Sequence, residues 1–208
     1  MRVISGSAKG RKLRAVPGEG TRPITERVKG ALFNILGADV EDATWLDLFG
    51  GTGSVGIEAL SRGAAHVVFI DNAYKAVETL RRNLSEMGLS DRAEVLKTDA
   101  FRYLRQVEPA TQFDYIYVAP PQYEDLWATA LLALDDKPLL APDGWIIVQI
   151  FPKEHRDLPL KRLQHLRERR YGSTALHFYG LKGATEPPAT ADGPDVTAQT
   201  DAPVSKEA

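Results

Sequence analysis

The segment that decides the fold class of this chain is Asp47-Leu48-Phe49-Gly50-Gly51-Thr52-Gly53-Ser54-Val55-Gly56. Its first three residues end a short, mostly apolar run, Thr44–Phe49, and its last residues begin a helical pattern that continues to Arg62. Glycines in a strand-to-helix turn let backbone N–H groups approach a ligand closely. The three glycines 51, 53 and 56 also satisfy the dinucleotide-binding fingerprint, with Asp71 about twenty residues further on. The segment therefore predicts a ligand-binding turn, and a tight turn without a ligand is the alternative.

Strand and helix patterns alternate after this turn. The runs 67–70 and 115–118 are continuously apolar, as parallel strands buried on both faces are. The pattern predicts an α/β chain with a doubly wound, mostly parallel, seven-stranded sheet. Two antiparallel strands, His165–Tyr171 and Ser173–Tyr179, close that sheet. The five predicted parallel strands are Thr44–Phe49, His66–Asp71, Ala93–Lys97, Phe113–Val118 and Trp145–Ile150.

Both ends of the chain depart from this alternation. Residues 1–20 predict a small basic β-ribbon, with strands at Arg2–Ile4 and Lys12–Val16. The main domain then spans residues 21–182, and Thr25 is the predicted N-cap of its first helix, which stops near Gly37. Residues 183–208 are rich in Ala, Thr, Pro, Asp and Gly, a composition that predicts a disordered tail.

The net charge of -2 hides an uneven distribution. Residues 1–34 carry about +6 and residues 153–182 about +5, whereas residues 35–152 carry about -9. Two basic segments around an acidic middle favour a polyanionic partner such as nucleic acid. The chain has no cysteine, which excludes disulfides and thiolate metal sites. Without a signal-peptide pattern or a membrane-spanning run, we expect a cytoplasmic location and no membrane partner.

Three carboxylates follow three successive strands. Asp47, Asp71 and Asp99 end the first, second and third strands, and such strand ends share the ligand-binding edge of a doubly wound sheet. Asp47 would repel a pyrophosphate but attract the ammonium group of an amino-acid moiety, which argues against a nicotinamide or flavin enzyme. Asp71 can accept ribose hydroxyls, and Asp99 can accept an adenine amine. The alternative role of Asp71, and also of Asp99, is to cap the helix that follows it in the chain.

The fourth strand ends in Val118-Ala119-Pro120-Pro121-Gln122-Tyr123. The two prolines fix a rigid turn at the same edge. Backbone carbonyls there can accept hydrogen bonds from an exocyclic amine, and Tyr123 can stack on a flipped base. An ordinary loop with a surface tyrosine is the alternative.

Three segments together resemble the bacterial small-subunit ribosomal RNA guanine-N2 methyltransferases, a family of class-I S-adenosylmethionine-dependent enzymes with a Rossmann-like fold. They are Thr21–Val28 with Leu32–Asn34, then Asp47–Gly56, then Glu58–Ala64. The resemblance covers roughly residues 1–182. It implies methyl transfer to a guanine of small-subunit ribosomal RNA or of its assembly intermediate. We expect a monomer.

The resemblance also implies a role for each motif. The implied S-adenosylmethionine contacts are Asp47, Gly51 and Gly53 for the methionine end, Asp71 for the ribose, Asp99 and Ala100 for the adenine, and Asn72 as a further cofactor contact. The implied target-base pocket is Ala119, Pro120, Pro121, Gln122 and Tyr123. The implied RNA contacts are Lys9, Arg11, Lys12, Arg14, Arg22 and Arg27.

One position departs from the family pattern. Amino-methyltransferases usually have Asp, Asn or Ser before the two prolines and an aromatic residue directly after them, whereas this chain has Ala119 and Gln122. Only the carbonyls of Ala119 and Pro120, or Gln122, would then accept the protons of the amine. Two alternatives stay open: a DNA adenine amino-methyltransferase, and an RNA-binding module without catalysis. No metal is expected, because the spacing of the four histidines does not match a ligand motif.

Overall fold

A computed structural model of the chain describes residues 1–18, 24–108 and 110–188. Its helices are α1 Glu26–Leu36, α2 Ser54–Ser61, α3 Tyr74–Met87, α4 Ala100–Gln106 and α5 Leu126–Asp135. Its strands are β1 Thr44–Asp47, β2 His66–Asp71, β3 Ala93–Lys97, β4 Phe113–Val118, β5 Leu140–Ile150, β6 Leu163–Tyr171 and β7 Thr174–Leu181. Short 3₁₀ turns lie at Gly37–Val40, Ser90–Arg92 and Pro152–Glu154.

The seven strands form one sheet in the order β3-β2-β1-β4-β5-β7-β6. The first five are parallel, and β7 runs antiparallel between β5 and β6. This arrangement confirms the predicted doubly wound, mostly parallel sheet with a closing hairpin. The sheet reverses its winding between β1 and β4, so the carboxyl ends of these strands form the crevice where such sheets bind ligands.

Helices cover both faces of the sheet, and each face has its own apolar core. One core packs α1, α2 and α3 on residues such as Trp45, Phe69 and Phe178. The other packs α4 and α5 on residues such as Ile116 and Val148. Burial on both faces explains why the parallel strands are continuously apolar in the sequence.

Local signals place the helix ends where the sequence predicts them. The Thr25 side chain accepts a 3.3 Å hydrogen bond from the Val28 N–H and caps α1, which ends at Gly37. Gly88 ends α3 in the left-handed region. Strand β5 is longer than predicted and begins at Leu140, because Leu140 pairs with Phe113 across a register shift. The pattern of strands and helices in the sequence did not indicate this irregular pairing of β4 with β5.

The N-terminal segment forms a short antiparallel ribbon that packs closely on the main domain. Around one bridge between Arg2 and Lys12, the Val3 N–H donates to the Arg11 carbonyl and the Gly10 N–H donates to the Val3 carbonyl, both at 2.9 Å. The backbone N–H groups of Ile4 and Ser5 donate to the Glu58 carboxylate at 2.8 and 3.0 Å. A buried acceptor on α2 therefore fixes the end of the ribbon to the main domain.

Glu58 is the centre of a buried ionic cluster. Its side chain and that of Lys29 are fully buried, and the two charged groups lie 3.1 Å apart. Arg62 pairs with the other oxygen of Glu58 at 2.9 Å. Burial lowers the pKa of Lys29, and the adjacent Glu58 carboxylate opposes that shift. The cluster joins α1, α2 and the N-terminal segment, which explains the Glu58–Ala64 motif in structural terms.

The C-terminal boundary differs in detail from the sequence expectation. Residues 184–188 follow β7, and Arg167 of β6 donates a 2.7 Å hydrogen bond to the Pro187 carbonyl. Pro187 is buried. The expected tail therefore begins with a docked stretch, and its remainder, residues 189–208, lies outside the described residues.

Candidate active site

The glycine turn between β1 and α2 has the backbone form that only glycine adopts easily. Gly51 and Gly53 both have positive φ angles, 53° and 77°. A Cβ on Gly53 would also lie 2.1 Å from the Leu80 side chain of α3. Conformation and close packing both require glycine at position 53. The turn therefore keeps its backbone open toward the crevice above β1.

Asp47 lies beneath this turn as a buried acid. Its side chain is almost fully buried, and its Oδ1 has no hydrogen-bond partner among the described residues. Burial raises the pKa of Asp47 to about 8, and the Asp71 charge adds to the rise, against hydrogen bonds from the Gly56 and Phe49 backbone. A buried oxygen without a partner is costly. A cationic ligand group in the crevice would supply the missing partner.

Asp71 organises the turn with both of its carboxylate oxygens. Oδ2 accepts a 2.8 Å hydrogen bond from the Gly51 N–H, and Oδ1 accepts one of the same length from Ala73, the N-cap of α3. Asp71 therefore does contact the N-terminus of α3, as the alternative role of a helix cap requires. A carboxylate has about four acceptor positions, so capacity for ribose hydroxyls remains.

Asp99 likewise has a capping role. It is the N-cap of α4, and its side chain accepts a 2.9 Å hydrogen bond from the Arg102 N–H. Asp99, Ala100 and Asn72 all line the same cavity as Asp47 and Asp71. The structure thus brings the three strand-end carboxylates together, as expected from the shared sheet edge.

The cavity has a volume of about 640 Å³ and extends from the glycine turn to the end of β4. Ala119, Pro120, Pro121 and Gln122 line it beside the cofactor candidates. Tyr123 does not line it. The Tyr123 ring is 71% exposed and contacts Phe151, with ring centres 6.0 Å apart. The aromatic residue predicted for the base pocket therefore lies outside the cavity in this conformation.

The loop that carries Tyr123 has an unusual backbone. Tyr123 and Asp125 have positive φ angles of 64° and 54°, which are uncommon for residues with side chains. The Tyr123 N–H donates a 2.6 Å hydrogen bond to Glu154, and Arg156 pairs with Asp125 at 2.5 Å. The segment after β5 therefore holds this loop in place. No motif in the sequence indicated these two contacts.

Sequence reasoning also missed several lining residues. Tyr117 and Gln149 face each other at the carboxyl ends of β4 and β5, and the Tyr117 hydroxyl donates to the Gln149 side-chain oxygen. Burial raises the pKa of Tyr117 well above its usual value. Glu124 and Phe101 also line the cavity. Proximity across the sheet, absent from any local motif, makes these residues part of the site.

The predicted RNA contacts lie at the surface where the structure describes them. Lys9, Arg11, Lys12, Arg14 and Arg27 are exposed. Arg14 pairs with Glu86 of α3 at 2.6 Å, and Arg11 donates to the Glu86 carbonyl. Arg22 lies outside the described residues. Arg27, in the first turn of α1, is three residues from Ile24, which lines the cavity. Of these basic residues, Arg27 is therefore near, along the chain, to a residue that lines the cavity.

Three of the histidines lie closer together than their spacing in the sequence indicates. Their spacing gave no ligand motif, yet candidate ligand atoms of His155, His165 and His177 lie within 4.8 Å of one another. The contact arises because β6 and β7 pair antiparallel and the turn after β5 folds over them. Ligand motifs record neighbours along one element, so they do not detect a cluster built from three.

Within the described residues, no helix combines the length and apolarity needed to cross a bilayer.

Comparison with known proteins identifies the family of this chain. The family model described as "Conserved hypothetical protein 95" matches residues 1–180. The chain is 39% identical over 184 residues to "Putative rRNA methyltransferase YlbH" of Bacillus subtilis, covering 88% of this chain and 100% of that protein. It is 33% identical over 167 residues to "Ribosomal RNA small subunit methyltransferase D" of Haemophilus influenzae, covering 72% of this chain and 86% of that protein.

Solved structures show the same relationship. "Putative methyltransferase yhhF from Escherichia coli" has a TM-score of 0.77 and 31% identity, with coverage of 87% of this chain and 97% of that one. An RNA methyltransferase from Salinibacter ruber in complex with S-adenosyl-L-homocysteine shares the fold, with a TM-score of 0.59, 18% identity and coverage of 83% and 100%. The chain belongs to the Conserved hypothetical protein 95 family and has the α/β fold of class-I methyltransferases.

Proposed function

We propose that this chain transfers a methyl group from S-adenosylmethionine to the exocyclic N2 amine of a guanine in small-subunit ribosomal RNA. The observation that carries the proposal is the unpartnered, buried Oδ1 of Asp47 in a cavity that continues to the Pro120-Pro121 turn. The names of the Haemophilus influenzae and Bacillus subtilis relatives support ribosomal RNA as the substrate class.

The residues present fit S-adenosylmethionine. Asp47 offers a buried carboxyl group to the ammonium of the methionine moiety, and the turn through Gly51 and Gly53 keeps side chains away from it. Asp71 and Asn72 would hold the ribose, and Asp99 with Ala100 the adenine. When bound, S-adenosylmethionine supplies an electrophilic methyl group on a sulfonium. The protein's part is to position the amine in line with that group, a contribution of roughly 7–11 kcal/mol in well-oriented reactions.

The end of β4 would hold the amine. The guanine amine is a poor nucleophile because its lone pair is delocalised into the ring, and acceptors for its protons help to free that pair. The carbonyls of Ala119 and Pro120 are the acceptors that the backbone offers, and Gln122 and Glu124 add side-chain acceptors at the cavity wall. Tyr123 would close over the base from the rim.

RNA would approach across the basic surface. Lys9, Arg11, Lys12, Arg14 and Arg27 would contact phosphates, and Arg22 belongs to the same set. Contacts of this kind position RNA without reading its sequence. The proposal includes a cytoplasmic monomer that acts on small-subunit RNA or on its assembly intermediate.

The test is methyl transfer with purified chain, radiolabelled S-adenosylmethionine and three substrates: small-subunit RNA, assembling small-subunit particles and adenine-containing DNA. We expect N2-methylguanine at one position of the RNA, identified by nuclease digestion and mass spectrometry. Transfer to DNA adenine would overturn the substrate assignment. Tight cofactor binding without transfer to any substrate would instead favour an RNA-binding module. Calorimetry should also show binding of S-adenosylhomocysteine and none of a nicotinamide dinucleotide.

A further inference from the structure

Three imidazoles from three separate elements meet beside the C-terminal hairpin. His155 follows the 3₁₀ turn after β5, His165 lies in β6, and His177 lies in β7. His177 is fully buried, and His165 is exposed at the surface. The cluster is separate from the cavity, since none of the three residues lines it. It thus combines a buried end with access to solvent.

Two of the rings have the spacing of two ligands on one metal ion. His165 Nε2 and His177 Nδ1 lie 3.2 Å apart. Two nitrogens bound tetrahedrally at about 2.0–2.1 Å from Zn²⁺ are separated by about 3.3 Å. The candidate ligand atoms of all three residues lie within 4.8 Å of one another, about 1.5 Å above that value, which small rotations of the rings would close.

The second nitrogen of His177 supports the same arrangement. Its Nε2 is buried and has no hydrogen-bond partner among the described residues. The Glu168 carboxylate faces it at 3.8 Å, and Arg170 fixes the other oxygen of that carboxylate at 3.2 Å. Metal-bound histidines usually present their other N–H to a carboxylate, which leaves the first nitrogen free for the ion. His177 and Glu168 are placed for this role.

A purely apolar role explains the cluster less well. His155 does stack between Trp127 and His177, with ring centres 5.8 and 4.1 Å away. A stack alone does not require that one ligand atom of each ring lie within 4.8 Å of the other two, as they do here.

We propose that His155, His165 and His177 form a binding site for one imidazole-preferring transition-metal dication, for which Zn²⁺ is the probe. Imidazole is a preferred ligand of Zn²⁺, Cu²⁺ and Ni²⁺. The ion would join the turn after β5 to the β6–β7 hairpin.

The same turn holds the loop that carries Tyr123. Glu154 precedes His155 and accepts the Tyr123 N–H, and Arg156 follows it and pairs with Asp125. A metal ion on His155 would therefore stabilise the loop at the cavity rim. This second part rests on the proposed function for its meaning in catalysis, but metal uptake itself does not.

The test is calorimetric titration of the tag-free full chain with Zn²⁺, together with Co²⁺ absorption spectra. We expect one Zn²⁺ per chain, tetrahedral Co²⁺ bands, and a melting temperature that rises with Zn²⁺. His165→Gln, at an exposed position, should weaken Zn²⁺ binding at least 100-fold. His66→Gln, outside the cluster, is the matched control and should bind normally. No uptake by the wild type, or equal uptake by His165→Gln, would overturn the site.

Hydrogen exchange tests the second part without any activity measurement. The Tyr123 amide should exchange at least tenfold more slowly with Zn²⁺ in the wild type, and equally with and without Zn²⁺ in His165→Gln. If the Tyr123 amide of the wild type exchanges at the same rate with and without Zn²⁺, the ion does not stabilise the loop. The proposal of the metal site itself would stand. Loss of methyl transfer has no bearing on either result.

Discussion

The backbone N–H of Tyr123 donates a 2.6 Å hydrogen bond to Oε1 of Glu154, and the second oxygen of Glu154 accepts the Phe151 N–H at 3.0 Å. One carboxylate therefore connects the end of β5 with the loop after β4. Because a glutamine has only one side-chain oxygen, Glu154→Gln can satisfy one of these donors and not both. A hydrogen bond to a charged group contributes about 1.5–3 kcal/mol. We expect turnover to fall about tenfold with cofactor affinity unchanged.

Steady-state methylation and calorimetry with S-adenosylhomocysteine check this expectation. Glu78→Gln is the matched control, because Glu78 lies on the exposed side of α3, 3.9 Å from Arg81. Wild-type turnover in Glu154→Gln would show that the loop does not depend on this contact.

Tyr123→Ala should lower turnover more than it lowers cofactor binding. The ring is exposed at the rim of the cavity, where it can stack on a base that enters. Stacking contacts are worth about 1–3 kcal/mol by alanine substitution, so we expect a loss of about 5- to 150-fold in kcat/KM. Tyr123→Phe keeps the ring and should retain activity, and Tyr74→Ala, another exposed tyrosine, should not change it. Equal rates for Tyr123→Ala and wild type would exclude the stacking role.

Regular features of this fold follow from local patterns. The apolar runs around Val67 and Tyr115 predicted strands at their observed positions, and Thr25 and Gly88 marked helix ends. The strand-end carboxylates met because parallel strands share one edge. The strands and helix ends need only residues close together in the chain, and the meeting of the carboxylates needs only the general rule for parallel sheets.

Features that depend on distant residues did not follow from those patterns. Glu154 reaches Tyr123 from 31 residues away, and Glu58 reaches the backbone of Ile4 from 54 residues away. The histidine cluster likewise needs the pairing of β6 with β7. Such contacts depend on tertiary packing, which no short motif records. The ribbon predicted for residues 1–20 is shorter than expected, because the Ile4 and Ser5 N–H groups donate to Glu58.

Glu58→Gln should destabilise the whole chain. Removing one partner of a buried ion pair costs about 3–5 kcal/mol, because it leaves the other charge uncompensated. Here Lys29 would remain buried, and the Ile4 and Ser5 N–H groups would share a single acceptor. We expect a fall of roughly 10 °C in melting temperature, since each kcal/mol shifts a domain of this size by about 2–4 °C. Glu86→Gln, at an exposed pair with Arg14, is the control and should change it little.

The basic N-terminal surface is better tested by charge than by deletion. Removing residues 1–16 would also remove Val3 and Leu13 from the core and leave Glu58 without its backbone donors. Lys9→Glu with Lys12→Glu changes only exposed positions. If both lysines contact phosphates, RNA affinity should fall. The negative slope of the logarithm of the binding constant against the logarithm of salt concentration should become less steep by about 2. An unchanged slope, with a normal melting temperature, would exclude these contacts.

Binding of S-adenosylhomocysteine should release a proton from Asp47. The pKa of about 8 keeps Asp47 mostly protonated at pH 7 in the free chain, and the incoming ammonium group favours its charged form. We expect release of roughly 0.5–1 proton per chain at pH 7, because Asp47 loses its proton and the amine of the free ligand is already protonated at that pH. Calorimetry in buffers of different ionisation enthalpy measures this number. Asp47→Asn should bind more weakly and release none.

The same group gives the free chain a pH-dependent stability. The pKa of Asp47 is raised from 3.8 to about 8 on folding, so between these values the folded chain holds a proton that the unfolded chain has lost. The free energy of unfolding contributed by Asp47 therefore falls as pH rises through this range, by about 1.4 kcal/mol per unit. Asp47→Asn removes this pH-dependent contribution to the free energy of unfolding. At pH 8 the variant should therefore be more stable than the wild type. Denaturant unfolding at pH 5, 6.5 and 8 checks this, and parallel profiles for the two proteins would contradict a buried, protonated Asp47.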